Sequence, residues 1–369
     1  MTRPGPAGPR VVHAVLPGGV ADPAAPSGGN AYDLRVCHDL PALGWRVHRH
    51  PVPGSWPRPD ATATAELAGL LARLPDGAVV LLDGLVACGV PEALEPAAAR
   101  LRLAVLVHLP LADETGLAPD TAARLDGRER RALRTVHAVL ATSDWTARRI
   151  RACHGPGLPP VTVARPGVDP APLAQGTDGA GGLLCVASLT PRKGHRRLVD
   201  ALAAVADAPW TCTFVGGGRD TACATQLRSK VQELGLAGRI RFAGPRIGAA
   251  LAAHYAAADL FVLASHAEPY GMVLTEALAR GVPVLATAVD GIPEAVGRAP
   301  NGAVPGLLVP PGEPAALVAA LRTWCGDPEA RRRLTAAAHG RRAMLERWET
   351  TSHTLAGALE RLRTAPPDR

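Results

Sequence analysis

The sequence predicts an α/β protein built from two doubly wound parallel sheets, one in each half of the chain, that face each other across a cleft. The chain has 369 residues, which is long for a single core and favours two domains. Short apolar runs alternate with stretches of helical apolar spacing, as in parallel sheets with crossover helices. The same alternation restarts after Ala174–Gly182, whose small and polar residues are typical of a flexible linker.

Apolar runs that end at a turn or a polar cluster predict five strands in the first half: Val11–Leu16, Trp45–Val52, Val79–Leu82, Leu103–Val107 and Ala138–Ala141. The segment Asn30–Leu43 has the apolar spacing of a helix. Five further strands are predicted in the second half: Leu183–Ala187, Thr211–Val215, Ile240–Phe242, Leu260–Leu263 and Val282–Ala286. Helices are predicted between these strands: Arg197–Ala206, Ala222–Leu234, Ala249–Ala257 and Val273–Ala279. A last amphipathic helix is predicted over about Arg341–Leu362.

This pattern divides the chain into an N-terminal domain, residues 1–172, and a C-terminal domain, residues 183–344. Ligands of open α/β sheets bind beyond the carboxyl ends of the strands. With two such domains facing each other, the cleft between them is the expected site. Residues with chemical roles should therefore lie on loops that follow strands.

The overall charge is basic, with a net charge of +7 and a pI near 9.4. We interpret the densest basic cluster as a solvated helix face rather than a membrane-surface patch: Arg331, Arg332, Arg333, Arg341 and Arg342. No aromatic residues interleave with these arginines, which argues against nucleic acid as a partner. Peripheral contact with a membrane is not favoured either.

The seven cysteines are scattered without a Cys-x-x-Cys pair, so neither a disulfide framework nor a zinc site is predicted. The sequence does not open with the pattern of a signal peptide. It also contains no apolar run of the roughly 18 residues that a membrane-spanning helix needs. We therefore expect a cytoplasmic enzyme.

The segment from Glu268 to Glu276 carries the sharpest chemical signal. It follows the predicted strand Leu260–Leu263, and Gly271 permits a tight turn before a helix. Backbone N–H groups in the first turn of that helix lack intrahelical partners and can bind a diphosphate, helped by the helix dipole. The two carboxylates are eight residues apart and can contact different parts of one extended ligand.

A second loop, after the predicted strand Leu183–Ala187, carries the cations Arg192 and Lys193. A positive side chain at this place can neutralise a diphosphate as it departs. Lys193 is one of only two lysines in the chain. The glycine triplet that begins with Gly216 and Gly217 is a weaker signal, because glycines also form ordinary turns.

Two features of the first half are candidates for the opposite side of the cleft. His108 directly follows the predicted strand Leu103–Val107. Gly28 and Gly29 precede the first helix, where backbone can approach a ligand closely. The turn Pro17-Gly18-Gly19 is equally good by composition but lies farther from the start of the helix.

Together these motifs resemble the retaining family 4 glycosyltransferases, which have the GT-B fold of two Rossmann-like domains. The resemblance extends over nearly all of the chain, and its most specific motif is Glu–seven residues–Glu. It implies that Glu268 contacts hydroxyls of the donor sugar, Glu276 binds the nucleotide ribose and Lys193 binds the diphosphate. It places His108 near the donor sugar and the reaction centre. Backbone amides for the sugar and diphosphate are implied along one loop: Tyr270, Gly271, Met272, Val273 and Leu274.

The resemblance also implies which domain binds the acceptor and which binds the donor. Gly28 and Gly29 match a glycine loop that approaches the diphosphate from the first domain. Gly216 and Gly217 match a turn that faces the nucleotide. Residues 1–172 would bind the acceptor and residues 183–344 the donor, and a C-terminal helix, about residues 345–363, would pack back on the first domain.

The sequence departs from the family pattern near the expected phosphate site. Ser188 stands where the family has a diphosphate-binding arginine, and Arg192 is the candidate to replace that charge. Asp290 replaces the first glycine of a Gly-Gly-x-x-Glu stretch that ends at Glu294. Pro166 stands where the domain junction of the family has asparagine.

The implied function is a retaining hexosyltransferase that moves a sugar from a UDP or GDP sugar to a hydroxyl acceptor. The catalytic residues would be His108, Lys193 and Glu268. No Asp-x-Asp motif stands where a metal would be needed, so we expect no metal and no cofactor beyond the nucleotide-sugar co-substrate. The acceptor class stays open between a small metabolite, a natural product and a lipid.

Two other classes of function stay open. One is a nucleotide-sugar epimerase or a phosphorylase on the same fold, and the other is a non-catalytic protein that binds nucleotide sugars. Ser188 is the reason to retain the non-catalytic alternative, because an enzyme of this family would be expected to have arginine at that position. A dinucleotide oxidoreductase is disfavoured, since neither half has Gly-x-Gly-x-x-Gly with an acidic residue after the next strand.

Overall fold

The computed structural model describes residues 9–24, 26–177, 181–218 and 221–366. Two six-stranded, fully parallel sheets form the two halves of the molecule. Alternate residues along the strands enter different apolar clusters, so each sheet is covered on both faces. The predicted α/β class with two doubly wound sheets is confirmed.

The strands of the first sheet follow the chain as β1 (Val11–Pro17), β2 (Arg46–Val52), β3 (Val79–Asp83), β4 (Arg102–Val107), β5 (Ala138–Ala141) and β6 (Val161–Val163). Their order in the sheet is β2-β1-β3-β4-β5-β6. The helices between them are α1 (Gly28–Asp39), α2 (Ala61–Arg73), α3 (Gly84–Ala87), α4 (Pro91–Ala98), α5 (Pro119–Thr135) and α6 (Asp144–His154). Because β3 is buried at all five residues, it forms part of the centre of this core.

The strands of the second sheet are β7 (Gly182–Val186), β8 (Thr211–Val215), β9 (Ile240–Gly244), β10 (Leu260–Leu263), β11 (Val284–Thr287) and β12 (Gly306–Val309). Their order is β12-β11-β10-β7-β8-β9. The helices are α7 (His195–Ala203), α8 (Thr221–Glu233), α9 (Gly248–Ala256), α10 (Met272–Leu278), α11 (Ile292–Val296), α12 (Pro314–Gly326) and α13 (Pro328–Arg342). Each half was predicted to have five strands, and the sixth, β6 or β12, is a short strand that the prediction missed.

Polar residues before several helices fix where those helices begin. Ser27 accepts a hydrogen bond from Asn30 N at 3.1 Å at the start of α1. Ser143, which is fully buried, caps α6 through Thr146 N at 2.9 Å. Such caps satisfy N–H groups that have no partner within the helix. They hold the helix starts at the carboxyl edge of the sheet.

The last helix, α14 (Trp348–Thr364), returns to the first sheet after the second half of the chain is complete. Leu355 and Leu359 on this helix are fully buried in an apolar cluster with Tyr32 and Val36 of α1. Burying these side chains stabilises the first half by removing apolar area from water. Residues from the end of the described chain therefore help to cover one face of the first sheet.

Two helix boundaries differ from the sequence prediction. The helix predicted over Asn30–Leu43 ends at Asp39 and continues as a 3-10 turn, because Pro41 has no N–H to donate in an α-helix. The last predicted helix, over about Arg341–Leu362, begins later, at Trp348, because Arg341 and Arg342 belong to α13. Between α13 and α14 the chain bonds to the domain junction, where Val168 N donates to Glu346 O at 2.9 Å.

The prediction of a flexible linker at Ala174–Gly182 is wrong for the part that the structure describes. Ala174 N donates to Arg280 O, and Gln175 N donates to Ala256 O. Asp259 then accepts from Thr177 N at 2.8 Å and from Gly182 N at 2.7 Å. Residues 178–180 of the predicted linker lie outside the described residues.

The prediction that the late arginine cluster is a solvated face is right for two members and wrong for three. Arg332 and Arg333 are exposed and pair with Glu329. The other three arginines donate hydrogen bonds to backbone carbonyl oxygens of neighbouring segments. Arg331 donates to Trp324 O, Arg341 to Val296 O and Arg342 to Ala279 O. None of the helices within the described ranges is both long and apolar enough to cross a membrane.

Replacing Gly216 with alanine is expected to lower the free energy of unfolding by about 3 kcal/mol. Gly216 has φ 149°, and a Cβ there would lie 2.0 Å from Ala187 O, where the loop after β7 meets the loop after β8. Thermal unfolding checks this, with Gly238→Ala as the control, because a Cβ at Gly238 meets nothing within 4 Å. Equal melting temperatures for the two variants would contradict the packing argument.

Candidate active site

The carboxyl ends of the two sheets meet at one cleft. A Cβ built on Gly28, at the start of α1, would lie 3.7 Å from Met272 Sδ, at the start of α10. A Cβ built on Gly29 would lie 3.4 Å from His108 Cδ2, directly after β4. Two helix starts and one imidazole from separate parts of the sequence are therefore neighbours, and glycine keeps the spaces between them open.

A buried ion pair joins the two predicted motifs of the second half. Lys193 Nζ lies 2.5 Å from Glu268 Oε2, and their side chains are only 14% and 9% exposed. Ser265 Oγ donates to the same carboxylate oxygen at 3.4 Å. The structure thus brings the expected diphosphate cation and the expected sugar-binding carboxylate into direct contact.

Arg192 points across the cleft. Its Nε lies 3.2 Å from Glu114 Oε1 of the first half, and its Nη1 donates to Ala267 O at 3.3 Å. Ser188, where the family has arginine, is partly buried, and Gly216 at the neighbouring turn packs against its backbone. The guanidinium of Arg192 therefore bonds the backbone directly before Glu268 and a carboxylate of the first half.

The side chains of the loop after Glu268 mostly serve the core. Leu274 is fully buried, Val273 packs against the same apolar cluster, and Tyr270 is 7% exposed. Met272 packs against the first-half cluster that contains Tyr32 and Trp348. The loop can therefore contact a ligand through its backbone, starting at Gly271. The φ of this residue is 93°, a conformation that glycine adopts readily.

Glu276 is held by a tyrosine. Tyr255 on α9 donates its hydroxyl hydrogen to Glu276 Oε2 at 2.8 Å. Burial raises the pKa of Glu276, and this hydrogen bond together with the charge of Arg280 acts against the rise. The carboxylate is thus oriented by a neighbour on another helix before any ligand is considered.

A buried pair of carboxyl groups surrounds His108. Nε2 of His108 lies 2.9 Å from Asp33 Oδ1 on α1 and 3.7 Å from Asp83 Oδ2 at the end of β3. Burial lowers the pKa of His108, but the charge and hydrogen bond of Asp33 and the charge of Asp83 raise it overall. Burial and the charge of Asp33 raise the pKa of Asp83 to about 8.

These three residues are also the group that could hold a metal ion within the described residues. One ligand atom from each lies within 4.8 Å of the others. Carboxylate and imidazole ligands suit several divalent metals. A protonated imidazole and one proton shared by the two carboxyl groups would balance the charge equally well, so the cluster does not require a metal.

Residues 178–341 match the family model described as Glycosyl transferases group 1. This half of the chain is a glycosyl transferases group 1 domain. The resemblance drawn from the sequence motifs is therefore confirmed at the level of that family. The ion pair of Lys193 with Glu268, and the turn at Gly271, both lie within the group 1 domain.

Two curated relatives extend the match beyond the group 1 domain. The D-inositol 3-phosphate glycosyltransferase of Kineococcus radiotolerans is 35% identical over 278 residues, which cover 69% of this chain and 63% of that protein. The protein with the same description in Jonesia denitrificans is 32% identical, over 68% of this chain and 62% of that protein. The chain thus spans less than two thirds of the length of these relatives.

Solved structures match nearly the whole chain. Sucrose-phosphate synthase from Thermosynechococcus elongatus superposes with a TM-score of 0.77 and 22% identity, covering 97% of this chain and 100% of that chain. Anabaena HepE, solved in complex with UDP and glucose, gives a TM-score of 0.73 and 19% identity, covering 95% and 99%. At these identities the likeness concerns the fold, and the predicted GT-B fold is confirmed.

The structure gives a reason for one departure in the group 1 domain. Asp290 stands where the family has glycine, and it has φ 49°, a conformation that glycine favours. Its carboxylate accepts a hydrogen bond from Glu268 N at 2.8 Å. Gly291 N in turn donates to Glu268 O at 3.0 Å. Asp290 is therefore less conformationally free than glycine would be, but its side chain makes a hydrogen bond that fixes the backbone of Glu268.

The last glutamate of the same stretch connects the group 1 domain to the first half. Glu294 accepts from Asp144 N at 3.0 Å and from Trp145 N at 3.2 Å, at the start of α6. Arg165 Nε also donates to Glu294, at 2.6 Å. The remaining nitrogens of Arg165 contact Asp144 and Glu346. One arginine at the domain junction thus joins three carboxylates from different segments.

Sequence reasoning did not find Asp33, Asp83 or Tyr255. A signal existed for Asp83, because it directly follows an apolar strand in the same way as His108 does. Asp33 lies four residues after Gly29 on α1, so both face the same side of that helix. Tyr255 carried no comparable signal, since its partner Glu276 is on a different helix.

Proposed function

We propose that the chain is a glycosyltransferase that moves a sugar from a UDP sugar to a hydroxyl group of a small-molecule acceptor, with retention of configuration. The contact of Lys193 with Glu268 beside the turn at Gly271, opposite His108 and Gly28, carries this proposal. The match of residues 178–341 to the group 1 family model supports it. UDP is proposed ahead of GDP because HepE, which shares the fold, binds UDP and UDP-glucose in its solved structures.

The donor diphosphate would lie between Lys193, Arg192 and the backbone at Gly271. Both cations are paired with carboxylates, Glu268 and Glu114. A diphosphate carries more negative charge than one carboxylate, so it would compete for Lys193 and release Glu268 toward a hydroxyl of the donor sugar. Donors that are fixed in a low-dielectric cleft stabilise a leaving phosphate more than the same groups do in water.

The proposed reaction breaks the bond from the anomeric carbon to the phosphate oxygen. The acceptor oxygen forms its bond to the same face of that carbon, and its proton passes to an oxygen of the departing diphosphate. Charge grows on the phosphate as the bond breaks, which is where Lys193 would contribute most. His108 would contact the donor sugar from the first half of the chain.

A polyol phosphate is the first acceptor class to test, since the curated relatives are described as D-inositol 3-phosphate glycosyltransferases. The acceptor would enter from the loop after β4, which carries Asp113 and Glu114. Arg149 pairs with Asp113 at 2.6 Å at this edge. Non-phosphorylated inositol and a lipid-linked polyol serve as the comparison acceptors.

The test is an incubation of the purified full chain with a panel of UDP, GDP and ADP sugars, each with and without the acceptors. We expect UDP release that depends on the acceptor and a product whose anomeric coupling by NMR matches the donor. Epimer formed without acceptor would support an epimerase instead. Sugar phosphate formed from inorganic phosphate would support a phosphorylase. Donor binding without any product would support the non-catalytic alternative.

Removing divalent cations is expected to leave the transfer rate unchanged within about twofold, because Lys193 and Arg192 supply positive charge at the proposed phosphate site. The measurement compares initial rates after dialysis against EDTA with rates after adding back Mg²⁺ or Mn²⁺. Loss of activity on chelation with recovery on addition of metal would contradict this part of the proposal.

A further inference from the structure

We propose that Asp33 and Asp83 are positioning residues that share one proton and, through Asp33, hold His108 as a cation whose Nδ1–H faces the cleft. This inference rests on the proposed function for its consequence in catalysis, but not for its physical content. It concerns two buried carboxyl groups that no motif of the sequence identified.

The contacts of the imidazole fix its orientation. Nε2 faces Asp33 Oδ1 at 2.9 Å, and the Cδ2–Cγ edge lies against Gly29. The Tyr32 ring meets the imidazole edge-on, with the ring centroids 5.4 Å apart. The side chain is 21% exposed, whereas those of Asp33 and Asp83 are 1% and 4% exposed. The Nδ1–Cε1 edge is therefore the part of the ring left for the cleft.

The charge balance requires a proton between the carboxyl groups. Two carboxylates and one imidazolium carry a net charge of −1, and burial of an uncompensated charge is costly. Asp83 Oδ1 accepts from Leu85 N at 2.7 Å, which leaves its other oxygen free to carry a proton toward Asp33. Asp33 Oδ2 is buried and has no hydrogen-bond partner among the described residues. A proton on Asp83 would satisfy that oxygen and neutralise the cluster.

The same arrangement favours charge on His108. Burial lowers its pKa, and the charge and hydrogen bond of Asp33 are the largest influences that raise it. A histidine whose pKa is raised on folding stabilises the fold below its unfolded value and loses that contribution as pH rises through the folded value. Burial raises the pKa of the nearby Cys37 to about 12, so this thiol stays neutral and does not compete.

The groups facing His108 from its other neighbours are not ionised. Thr142 after β5 and Thr146 on α6 place hydroxyl groups 3.5 Å and 3.4 Å from the His108 carbonyl oxygen. On α1 the other neighbours are Tyr32 and the backbone at Gly29. Among the described residues, Asp33 is therefore the charged group that sets the protonation of the ring, and Asp83 acts through the proton that it shares with Asp33.

The consequence is a positive hydrogen-bond donor on the first-half side of the cleft. Gly29 lies against this ring at the start of α1, and the adjacent Gly28 faces Met272 at the start of α10. A cation at Nδ1 would act on the donor from the side opposite Lys193. It would offset in part the charge missing at Ser188, without any new basic residue in the sequence.

The direct test is NMR of the full chain labelled with ¹⁵N-histidine, titrated from pH 5 to 9, with His108→Gln used to assign the His108 signals. We expect both ring nitrogens of His108 to stay protonated at pH 7.5. Asp33→Asn is expected to lower the midpoint by at least about one pH unit, a tenfold loss of proton affinity. A neutral His108 ring in the unmodified protein at pH 7 would overturn the proposal even if no variant folds.

Asp83→Asn is the matched comparison, because an amide resembles a protonated carboxyl group and can still accept from Leu85 N and donate to Asp33. We expect the His108 midpoint of Asp83→Asn to lie within about 0.3 pH units of the midpoint of the unmodified protein. Equal shifts from Asp33→Asn and Asp83→Asn would overturn the shared proton. Because the two carboxyl groups are similarly buried, a general loosening of the core would shift the His108 midpoint by similar amounts in both variants.

The catalytic consequence is read separately. With a donor and acceptor that turn over, Asp33→Asn should lower kcat and move the alkaline limb of the kcat profile to lower pH, with a smaller change in KM. An unchanged alkaline limb would overturn the role of the pair in the reaction. If no transfer is found with any donor, the proposed function fails, and the NMR titration still decides whether the pair holds His108 charged.

Discussion

Replacing Lys193 with alanine is expected to lower kcat for sugar transfer by about 10²–10³-fold, the effect typical of removing one fixed donor from a developing negative charge. Lys193 is 2.5 Å from Glu268 and largely buried, so water would replace its ammonium poorly. The loss should appear in kcat more than in KM, because phosphate charge grows as the bond breaks. Steady-state kinetics with the best donor measure both.

The chain contains a well-matched control for this substitution. Lys230, the only other lysine, lies in the last turn of α8 and also forms an ion pair at 2.5 Å, with Asp200 on α7. Lys230→Ala removes the same atoms and the same charge and should leave kcat within about twofold. Similar losses in the two variants would indicate a general effect of lysine removal. Full activity of folded Lys193→Ala would refute its assignment.

Replacing Arg165 with methionine is expected to lower the melting temperature by about 5 °C and to raise KM for the donor at least fivefold. Arg165 bonds Glu294 at 2.6 Å and also contacts Asp144 and Glu346. Without the guanidinium these three carboxylates repel one another. Because Arg165 is about one third exposed, we scale its loss to one or two charged hydrogen bonds rather than to a fully buried ion pair.

The measurement for Arg165 combines thermal unfolding with small-angle X-ray scattering. Loss of the bonds at the domain junction should let the halves separate and increase the radius of gyration. Arg128→Met is the control, since Arg128 forms an exposed pair with Glu92 at 2.9 Å within the first half. A normal radius of gyration and normal KM in Arg165→Met would show that apolar packing alone sets the domain orientation.

The sequence predicted the fold well where strands are long and buried. β3 and β4 lie within a residue of their predicted bounds, because near-continuous Val and Leu runs identify central parallel strands. It missed β6, Val161–Val163, whose three residues are too few for a periodic signal. It also started the last helix too early, since the break between α13 and α14 depends on hydrogen bonding to a distant segment at Val168.

The sequence also predicted some features of the candidate site and missed others. The loops of Lys193 and Glu268 follow strands and could be placed at the cleft, but their ion pair could not, because it depends on side-chain rotamers. The surroundings of His108 were missed because Asp33 lies 75 positions away, on a helix surface that looks ordinary in sequence. The inward direction of Arg331, Arg341 and Arg342 was missed because their acceptors are backbone carbonyls, which carry no sequence signal.

The return of α14 to the first sheet has a consequence for biosynthesis. Trp348, Leu355 and Leu359 join Tyr32 and neighbouring side chains in a single apolar cluster. On the ribosome these residues emerge after the whole group 1 domain, whereas the first sheet emerges before it. The first sheet must therefore wait with one apolar surface incomplete until α14 has been translated. A nascent chain stalled before Trp348 should expose that surface to chaperones, although every strand of both sheets has already been made.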